Sequence, residues 1–404
     1  MNIDEQVATL MQGTEYGDPT LKDAMQAELR LRLLEAEKAG RKLRVYCGFD
    51  PRTTDLHLGH TIPMRKLRQF QDLGHDVVFL IGTYTSLIGD PSDQDKLRPQ
   101  LTPQQVEENA RTYAEQAFRI LDRAKTEVRY NAEWLSKVTF ADLINFASNF
   151  TVQQFLTREN FRERWDKGDA IYLHETFYSL MQAYDAYMLK ADVQVGGTDQ
   201  LFNILTAARK LMAALGAKPN IGVIMGILPG TDGELKMSKS LGNHIPLNTE
   251  TADMYGKVMS VPDKAMGAYM RLVTRWTAAE IAAKEKAVAS GSLHPRDAKA
   301  EIAFEITEIF YGAEAAKVAQ VQFARVFQQG DAPEDLPTHK VAGKQTVLDV
   351  LLSAGLAKSK SEGRRVIEQN GVKLDGTVLN DPNQLFPGPG VLQVGKRRFV
   401  RIEL

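Results

Sequence analysis

Apolar and polar positions along this chain follow two periods, one helical and one extended. Residues 19–38 place apolar side chains at helical spacing, and Gly40 follows where such a helix would stop. LRVYCGF (43–49) is a short apolar run rich in strand formers. A loop comes next, then helical spacing from near His57 or Leu58 to just before Gly74, then a second buried-strand candidate, DVVFLIG (76–82). Strand, helix and strand in that order make a βαβ unit, whose crossover implies parallel strands. VQVGG (193–197), the helical pattern DQLFNILTAARKLMAAL (199–215) and IGVIMGIL (221–228) repeat the theme. Residues 1–245 are therefore expected to form an α/β domain with a doubly wound parallel sheet, interrupted at about 120–190 by a mostly helical insertion.

From Thr249 to Gln329 the spacing turns helical, as in AKAEIAFEITEIFYG, which runs into Gly312; a helical domain is expected over 246–329. GDAPEDLPTH (330–339) is polar, with two prolines and a glycine, and marks a linker taken as 330–342. Residues 343–404 predict a helix, a turn at Gly355, a second helix and a tight turn into short strands, a small α+β domain. No internal repeat or low-complexity tract is visible.

At 404 residues, with 43% apolar and 25% charged positions, the chain has the make-up of a soluble protein of two to four domains. A single cysteine, Cys47, excludes an internal disulfide and a multi-cysteine zinc site, and fits a reducing compartment. The start, MNIDEQVATL, lacks the basic and long apolar stretches of a secretory leader, and no apolar run approaches the roughly 18 residues that span a bilayer. These features are read as cytoplasmic, with no membrane partner. The net charge of -1 is not evenly spread. Residues 343–404 hold 10 Lys+Arg against 6 Asp+Glu, a balance of +4 on a body of -5. A basic terminal module suggests a polyanion partner, although ordinary fluctuation in a small domain gives the same balance.

Two short motifs carry candidate chemistry. His57-Leu58-Gly59-His60 lies where a loop enters a helix, a place where backbone amides and the helix dipole favour phosphate. Gly59 lets a nucleotide approach the backbone, and His57 and His60 share a helical face from which they can hydrogen-bond a phosphate chain. Taken alone, such histidines are more often solvated residues of a helix start. Zinc fits them poorly, since no further Cys or His sits at ligand spacing. The second motif, Lys236-Met237-Ser238-Lys239-Ser240, is a polar segment with two lysines flanked by glycines. It could close over a triphosphate and stabilise departing pyrophosphate, or be an ordinary exposed basic loop.

In this order, about 180 residues apart, the two motifs resemble the paired HIGH and KMSKS signatures of the class I aminoacyl-tRNA synthetases, with Leu for Ile in the first. YCGFDP (46–51), LIGDP (87–91), YSLMQAYD (178–185) and QVGGTDQ (194–200) narrow the likeness to the bacterial tyrosyl-tRNA synthetases. SKSEGRRVIEQNGVKLDG (359–376) resembles an RNA-binding domain shared with a small-subunit ribosomal protein and some pseudouridine synthases.

The resemblance implies a Rossmann-like catalytic domain, a helical domain that binds the anticodon stem or anticodon, and a ribosomal-protein-like RNA-binding domain. It implies that Tyr46 and Asp185 bind the phenolic hydroxyl of tyrosine, that Tyr178, Gln182 and Asp90 hold its ammonium group, and that Gln200 lies near its carboxylate. Asp50 would help position the ammonium group and the nucleotide. Cys47 and Asp199 would contact the ATP ribose, with Gly197 allowing close approach and Gly59 packing at the nucleotide. His57, His60, Lys236 and Lys239 would serve the phosphates. In the terminal module Lys358, Lys360, Arg364 and Arg365 would meet the RNA backbone. Implied partners are ATP with Mg2+, L-tyrosine, a tyrosine-accepting tRNA and a second copy in a homodimer. No dedicated metal site and no editing domain are expected. Arg52 departs from the small residue that relatives more often carry after the proline.

Taken singly, each residue has a plainer reading: a strand aromatic, a surface amide, a turn aspartate before proline, an N-cap, a small buried thiol. Three other functions stay open on the residues alone. They are a tryptophan-specific relative, a catalytically silent RNA-binding homologue, and a small nucleotidyltransferase that uses no tRNA. The pair Tyr46 and Asp185 weighs against the first, since an indole only donates a hydrogen bond. The intact histidines and lysines weigh against the second, and the terminal module against the third.

Overall fold

The computed structural model describes residues 1–51, 55–90, 102–325, 336–341, 343–357, 359–395 and 398–403. Arg52, Lys358 and, within the expected linker, residues 330–335 and 342 lie outside the described residues. The chain divides into two compact units, Met1–Ala316 and Lys317–Leu404.

Unit one is built on five parallel strands: β1 (Arg44–Phe49), β2 (Asp76–Ile81), β3 (Thr126–Tyr130), β4 (Val193–Gly197) and β5 (Ile221–Met225), in the order β3-β2-β1-β4-β5. β2 and β5 are buried almost throughout, as expected of strands covered on both faces. The order runs outward in both directions from β1, so the switch point lies between β1 and β4. In open α/β sheets the ligand crevice forms there, at the carboxyl ends of the strands.

Two elements differ from the sequence expectation. β3 lies inside the stretch expected to be a mostly helical insertion. It is an edge strand, half-exposed along its length, and Arg129 pairs with Glu127 and Glu133 on its surface. The helices that follow β3 extend from Ala132–Leu135 to Leu173–Met188. The second difference is in 199–215, which is not one regular helix. A 3-10 turn (Thr198–Gln200) leads into a wide π-helical stretch (Phe202–Ala208) and then an α-helical end (Arg209–Ala214). Wide turns of this kind often mark functional positions. Here the stretch packs hard against the sheet: a Cβ on Gly196 would collide with Ile204 and crowd Gln200 at 3.2 Å.

Helices Thr251–Met259, Met266–Val273, Ala278–Ala289 and Pro295–Tyr311 complete unit one, as the spacing predicts. Their starts carry local stop-and-start chemistry. Thr277 and Glu280 form a reciprocal capping box, and Pro295 occupies the first turn of its helix, where its missing N–H costs nothing.

Unit two has helices Val347–Ser353 and Lys360–Glu368 and a second sheet of β6 (Thr338–Lys340), β7 (Val372–Leu374), β8 (Thr377–Val378), β9 (Gly390–Val394) and β10 (Arg398–Glu403), in the order β6-β10-β9-β7-β8. The pairings are antiparallel except β6 with β10. β6 falls within the range read as linker: Arg401, Ile402 and Glu403 pair with Thr338, His339 and Lys340. Val347, Leu351, Ile367, Val372, Leu392 and Ile402 belong to this unit's own buried core.

Candidate active site

The carboxyl ends of β1, β2 and β4 bring the predicted residues of unit one together. β1 carries Tyr46 and Cys47; Asp50 follows its end. β4 ends in Gly197, and the turn after it carries Asp199 and Gln200. Helix Leu173–Met188 presents Tyr178, Gln182 and Asp185, spaced three and four apart on one face.

Tyr46 is 1% exposed, and its hydroxyl finds no hydrogen-bond partner among the described residues. Gln182 Oε1 is likewise buried and unpartnered. Orphaned buried polar atoms are costly and uncommon in native folds. Close to Tyr46, Asp185 is 3% exposed and accepts from Trp134 Nε1 (2.7 Å) and Asn131 Nδ2 (3.2 Å). Burial raises its carboxyl from 3.8 to about 8, against the lowering effect of those two donors; the Asp50 charge adds to the rise. The same burial pushes Tyr46 well above the usual phenol range.

From Asp185 a hydrogen-bond chain runs through Asn131 and Thr85 to Asp50 and Tyr178. Asn131 Nδ2 also donates to Thr85 Oγ1 (3.0 Å), Thr85 to Asp50 Oδ1 (2.8 Å), and the Tyr178 hydroxyl to Asp50 Oδ2 (3.1 Å). A Cβ on Gly82 would collide with the Asp50 carboxylate and the Thr85 hydroxyl, so only glycine leaves room for this chain. Asp90 accepts from Gln200 Nε2 at 2.7 Å, and Arg158 stands 3.9 Å from its other oxygen. Cys47 is buried, and burial with the nearby Asp199 charge raises its thiol pKa, so it is a neutral thiol rather than a reactive thiolate.

His60 ends a 3-10 turn, Leu58–His60, that opens helix Thr61–Asp72, and His57 is the N-cap of that turn. Their rings lie 3.8 Å apart between centroids. Burial lowers the pKa of His57 to about 2 and that of His60 to about 4, with nearby Lys236 acting in the same direction, so both rings are neutral at pH 7. His60 Nδ1 accepts from the His57 backbone N–H (3.2 Å), which leaves the His60 proton on Nε2. His57 Nδ1 is buried without a partner among the described residues.

The lysine loop is anchored to this turn. Leu58 N donates to Ile245 O (2.8 Å) and Leu247 N to Leu56 O (2.9 Å), so the loop's downstream arm pairs with the approach to the histidines. Asn243 holds the loop itself: its Oδ1 accepts from Ser238 N (2.8 Å) and its Nδ2 donates to Lys236 O (3.2 Å) and to Asp232. Met237 is buried between the two lysines of the motif. Lys236 lies 3.6 Å from Asp199 and Lys239 lies 3.6 Å from Asp55.

Sequence reading missed Asn131, Trp134, Thr85, Arg158, Asn203, Asn243 and His244. The last places its ring 6.2 Å from His57, edge to face. None of these residues carries a local signature. The predicted RNA residues lie in unit two, where Lys360, Arg364 and Arg365 are exposed at or within helix Lys360–Glu368. Among the described residues no helix is long and apolar enough to cross a membrane.

Known proteins resemble this chain along most of its length. The family described as "tRNA synthetases class I (W and Y)" matches residues 38–328, and the S4 domain matches 348–388. The chain is 47% identical over 372 residues to a tyrosine–tRNA ligase of Thermotoga maritima, covering 92% of each chain. It is 45% identical over 406 residues to that of Oleidesulfovibrio alaskensis, covering 100% of this chain and 99% of the other. Among solved structures it resembles in fold a C-terminally truncated Aspergillus nidulans mitochondrial tyrosyl-tRNA synthetase (TM-score 0.63, 23% identity, 80% of this chain and 94% of that one). It also resembles the Archaeoglobus fulgidus tyrosyl-tRNA synthetase complexed with L-tyrosine (TM-score 0.60, 22% identity, 79% and 100%).

Proposed function

The chain belongs to the class I tRNA synthetases for tryptophan and tyrosine, and within them to the tyrosine–tRNA ligases; from that premise we propose which of its residues carry the reaction. In the first step the tyrosine carboxylate attacks the α-phosphorus of ATP, tyrosyl-adenylate forms and pyrophosphate leaves. In the second a terminal ribose hydroxyl of the tRNA attacks the tyrosyl carbonyl and AMP leaves. No side chain becomes covalently attached, so the protein contributes position and charge stabilisation.

The observation that carries the pocket assignment is the unpartnered Tyr46 hydroxyl beside the buried Asp185 carboxyl. A phenol both donates and accepts, so one hydroxyl can give its proton to Asp185 and accept one from Tyr46. An indole cannot accept, and a phenylalanine ring can do neither. Asp90, Gln182 and the Tyr178–Asp50 pair surround the place we assign to the ammonium group, and Gln200 that of the carboxylate. Cys47, as a neutral thiol, with Asp199, Gly197 and Gly59, would serve the nucleotide. His57 and His60, as neutral donors, with Lys236 and Lys239 as cations, would hold the phosphates. Magnesium would arrive on the triphosphate. We place the reaction in the cytoplasm.

The test is ATP–pyrophosphate exchange with tyrosine, phenylalanine and tryptophan in parallel. Exchange with tyrosine alone is expected; exchange driven by tryptophan, or none from folded protein, would overturn the assignment.

Two further readings concern partners. The exposed residues Lys360, Arg364 and Arg365 on the terminal unit would contact the tRNA backbone, which positions without reading sequence. Ending the chain at Arg325 should therefore change exchange by no more than about twofold but raise the KM for tRNA by roughly tenfold or more, the equivalent of about 1.4 kcal/mol of lost contact. Equal loss of both activities in a charging assay would contradict this division. The second partner is another copy of the chain. Phe140, Ile144, Val152, Trp165, Tyr172 and Leu173 are all exposed on or beside the helices that follow β3, a concentration that a soluble monomer rarely carries. A homodimer formed through this face should dissociate on Leu173→Asp in sedimentation velocity, and an unchanged dimer would place the interface elsewhere.

A further inference from the structure

We propose that Arg158 is a positioning residue for the amino-acid pocket, acting through a closed ring of side chains that fixes which way the Gln200 amide faces. The inference rests on the reading of Gln200 and Asp90 as tyrosine contacts.

Arg158 is 5% exposed, with its guanidinium over the rings of Phe161 (4.7 Å) and Phe202 (5.5 Å). Its Nη1 donates to Ser179 Oγ (2.9 Å). Ser179 Oγ donates to Asn203 Oδ1 (2.7 Å), and Asn203 Nδ2 donates to Gln200 Oε1 (2.9 Å). Gln200 Nε2 then donates to Asp90 Oδ2 (2.7 Å) and Asp199 Oδ2 (3.3 Å), and Asp90 Oδ1 closes the ring 3.9 Å from Arg158 Nη2. Ser179 and Asn203 are fully buried, so water cannot substitute for either partner.

The ring has one polarity, and its two ends enforce it. A guanidinium only donates, so Ser179 must accept from it and spend its single proton on Asn203. Asn203 must then turn its oxygen to Ser179 and its amide nitrogen to Gln200. Gln200 in turn must receive through its oxygen and donate through its nitrogen. An ionised carboxylate only accepts, which is what Asp90 and Asp199 require at the other end. An isolated amide is free to flip; this one is held between an obligate donor and obligate acceptors. The consequence is that both Gln200 N–H groups are turned to Asp90 and Asp199, which holds the Asp90 carboxylate at the place assigned to the substrate ammonium group. A flipped amide would present an oxygen lone pair to these carboxylates and push them away.

The test is exchange kinetics on the full chain with Ser179→Ala, Arg158→Met, Arg158→Lys and the Ser179→Ala/Arg158→Met double variant. Ser179→Ala breaks the relay without removing charge, and a hydrogen bond to or near a charged group predicts a rise of about tenfold in KM for tyrosine. KM for ATP should stay within about twofold, and Arg158→Lys should recover part of what Arg158→Met loses. Because both groups lie on one path, the double variant should be no worse than Arg158→Met alone. An unchanged KM for tyrosine in Ser179→Ala, a parallel rise for ATP, or effects that multiply in the double variant would overturn the relay. If Arg158→Met does not fold, Ser179→Ala and Arg158→Lys decide the matter. Wild-type protein that shows no tyrosine-dependent exchange would instead overturn the functional reading on which the relay rests.

Discussion

Asp185→Ala is expected to raise the KM for tyrosine in ATP–pyrophosphate exchange by roughly 5–150-fold, the equivalent of leaving one buried hydrogen-bonding group unpaired at about 1–3 kcal/mol. Exchange with phenylalanine should be nearly unchanged, so selection between the two amino acids falls by the same factor. The substitution also strips the acceptor from Trp134 Nε1 and Asn131 Nδ2, which are buried. Asp185→Asn is therefore the cleaner companion, because it keeps the volume and one acceptor oxygen. A change in KM for tyrosine of less than about threefold in both variants would remove Asp185 from the specificity pocket.

The same carboxyl makes a thermodynamic prediction with a definite sign. Burial raises its folded-state pKa from 3.8 to about 8. Between those values the folded protein keeps a proton that the unfolded chain has released, so stability falls as pH rises through that window and levels off above it. An amide in place of this carboxyl has no such titration. Asp185→Asn should thus gain stability relative to wild type as pH rises from about 4 to 8, by a few kcal/mol at the plateau, since each pKa unit corresponds to about 1.4 kcal/mol. Urea midpoints at pH 5, 7 and 9 measure it, and a difference that stays flat across that range would mean that the native carboxyl is ionised throughout.

How far such a site can be read from sequence depends on how local its interactions are. The histidine turn and the lysine loop were legible because each is a short contiguous motif whose backbone geometry makes its own chemistry. β1, β2, β4 and β5 were legible because strands buried on both faces read as continuous apolar runs. β3 was not, since an edge strand with Glu127, Arg129 and Tyr130 facing outward has no such run. β6 was hidden among linker-like residues because it becomes a strand only by pairing with Arg401–Glu403, far along the chain. The residues that tune the pocket share this non-local character. Trp134 and Asn131 reach Asp185 across 51 and 54 residues, and Tyr178 reaches Asp50 across 128. No pattern within a window of the sequence encodes those meetings. The resemblance supplied candidate pocket residues, but not that Tyr178 is bonded to Asp50, nor that the buried Arg158 is linked through Ser179 and Asn203 to Gln200.

Removing either lysine of the loop is expected to slow adenylate formation far more than it weakens binding. Lys236 and Lys239 are about half exposed (47% and 56%) and stand 3.6 Å from Asp199 and Asp55. Exposed pairs of this kind contribute about 0–1 kcal/mol, so both ammonium groups can leave their carboxylates for a polyphosphate at little cost. The loop that carries them is pinned at its base through Asn243 and the backbone pairing of residues 245–247 with 56–58, which limits where the lysines can move. Charge builds on the departing pyrophosphate as the bond to the α-phosphorus breaks, and a cation aimed there acts chiefly on the transition state. Loss of one such contact predicts a fall of roughly 10²–10³-fold in the rate of tyrosyl-adenylate formation. Single-turnover kinetics of Lys236→Ala and Lys239→Ala would measure it, with KM for tyrosine expected to hold within about twofold because Tyr46 and Asp185 are untouched. A variant that binds ATP more weakly but forms adenylate at the wild-type rate would make that lysine a ground-state anchor, leaving stabilisation of the pyrophosphate to the two neutral histidines and the other lysine.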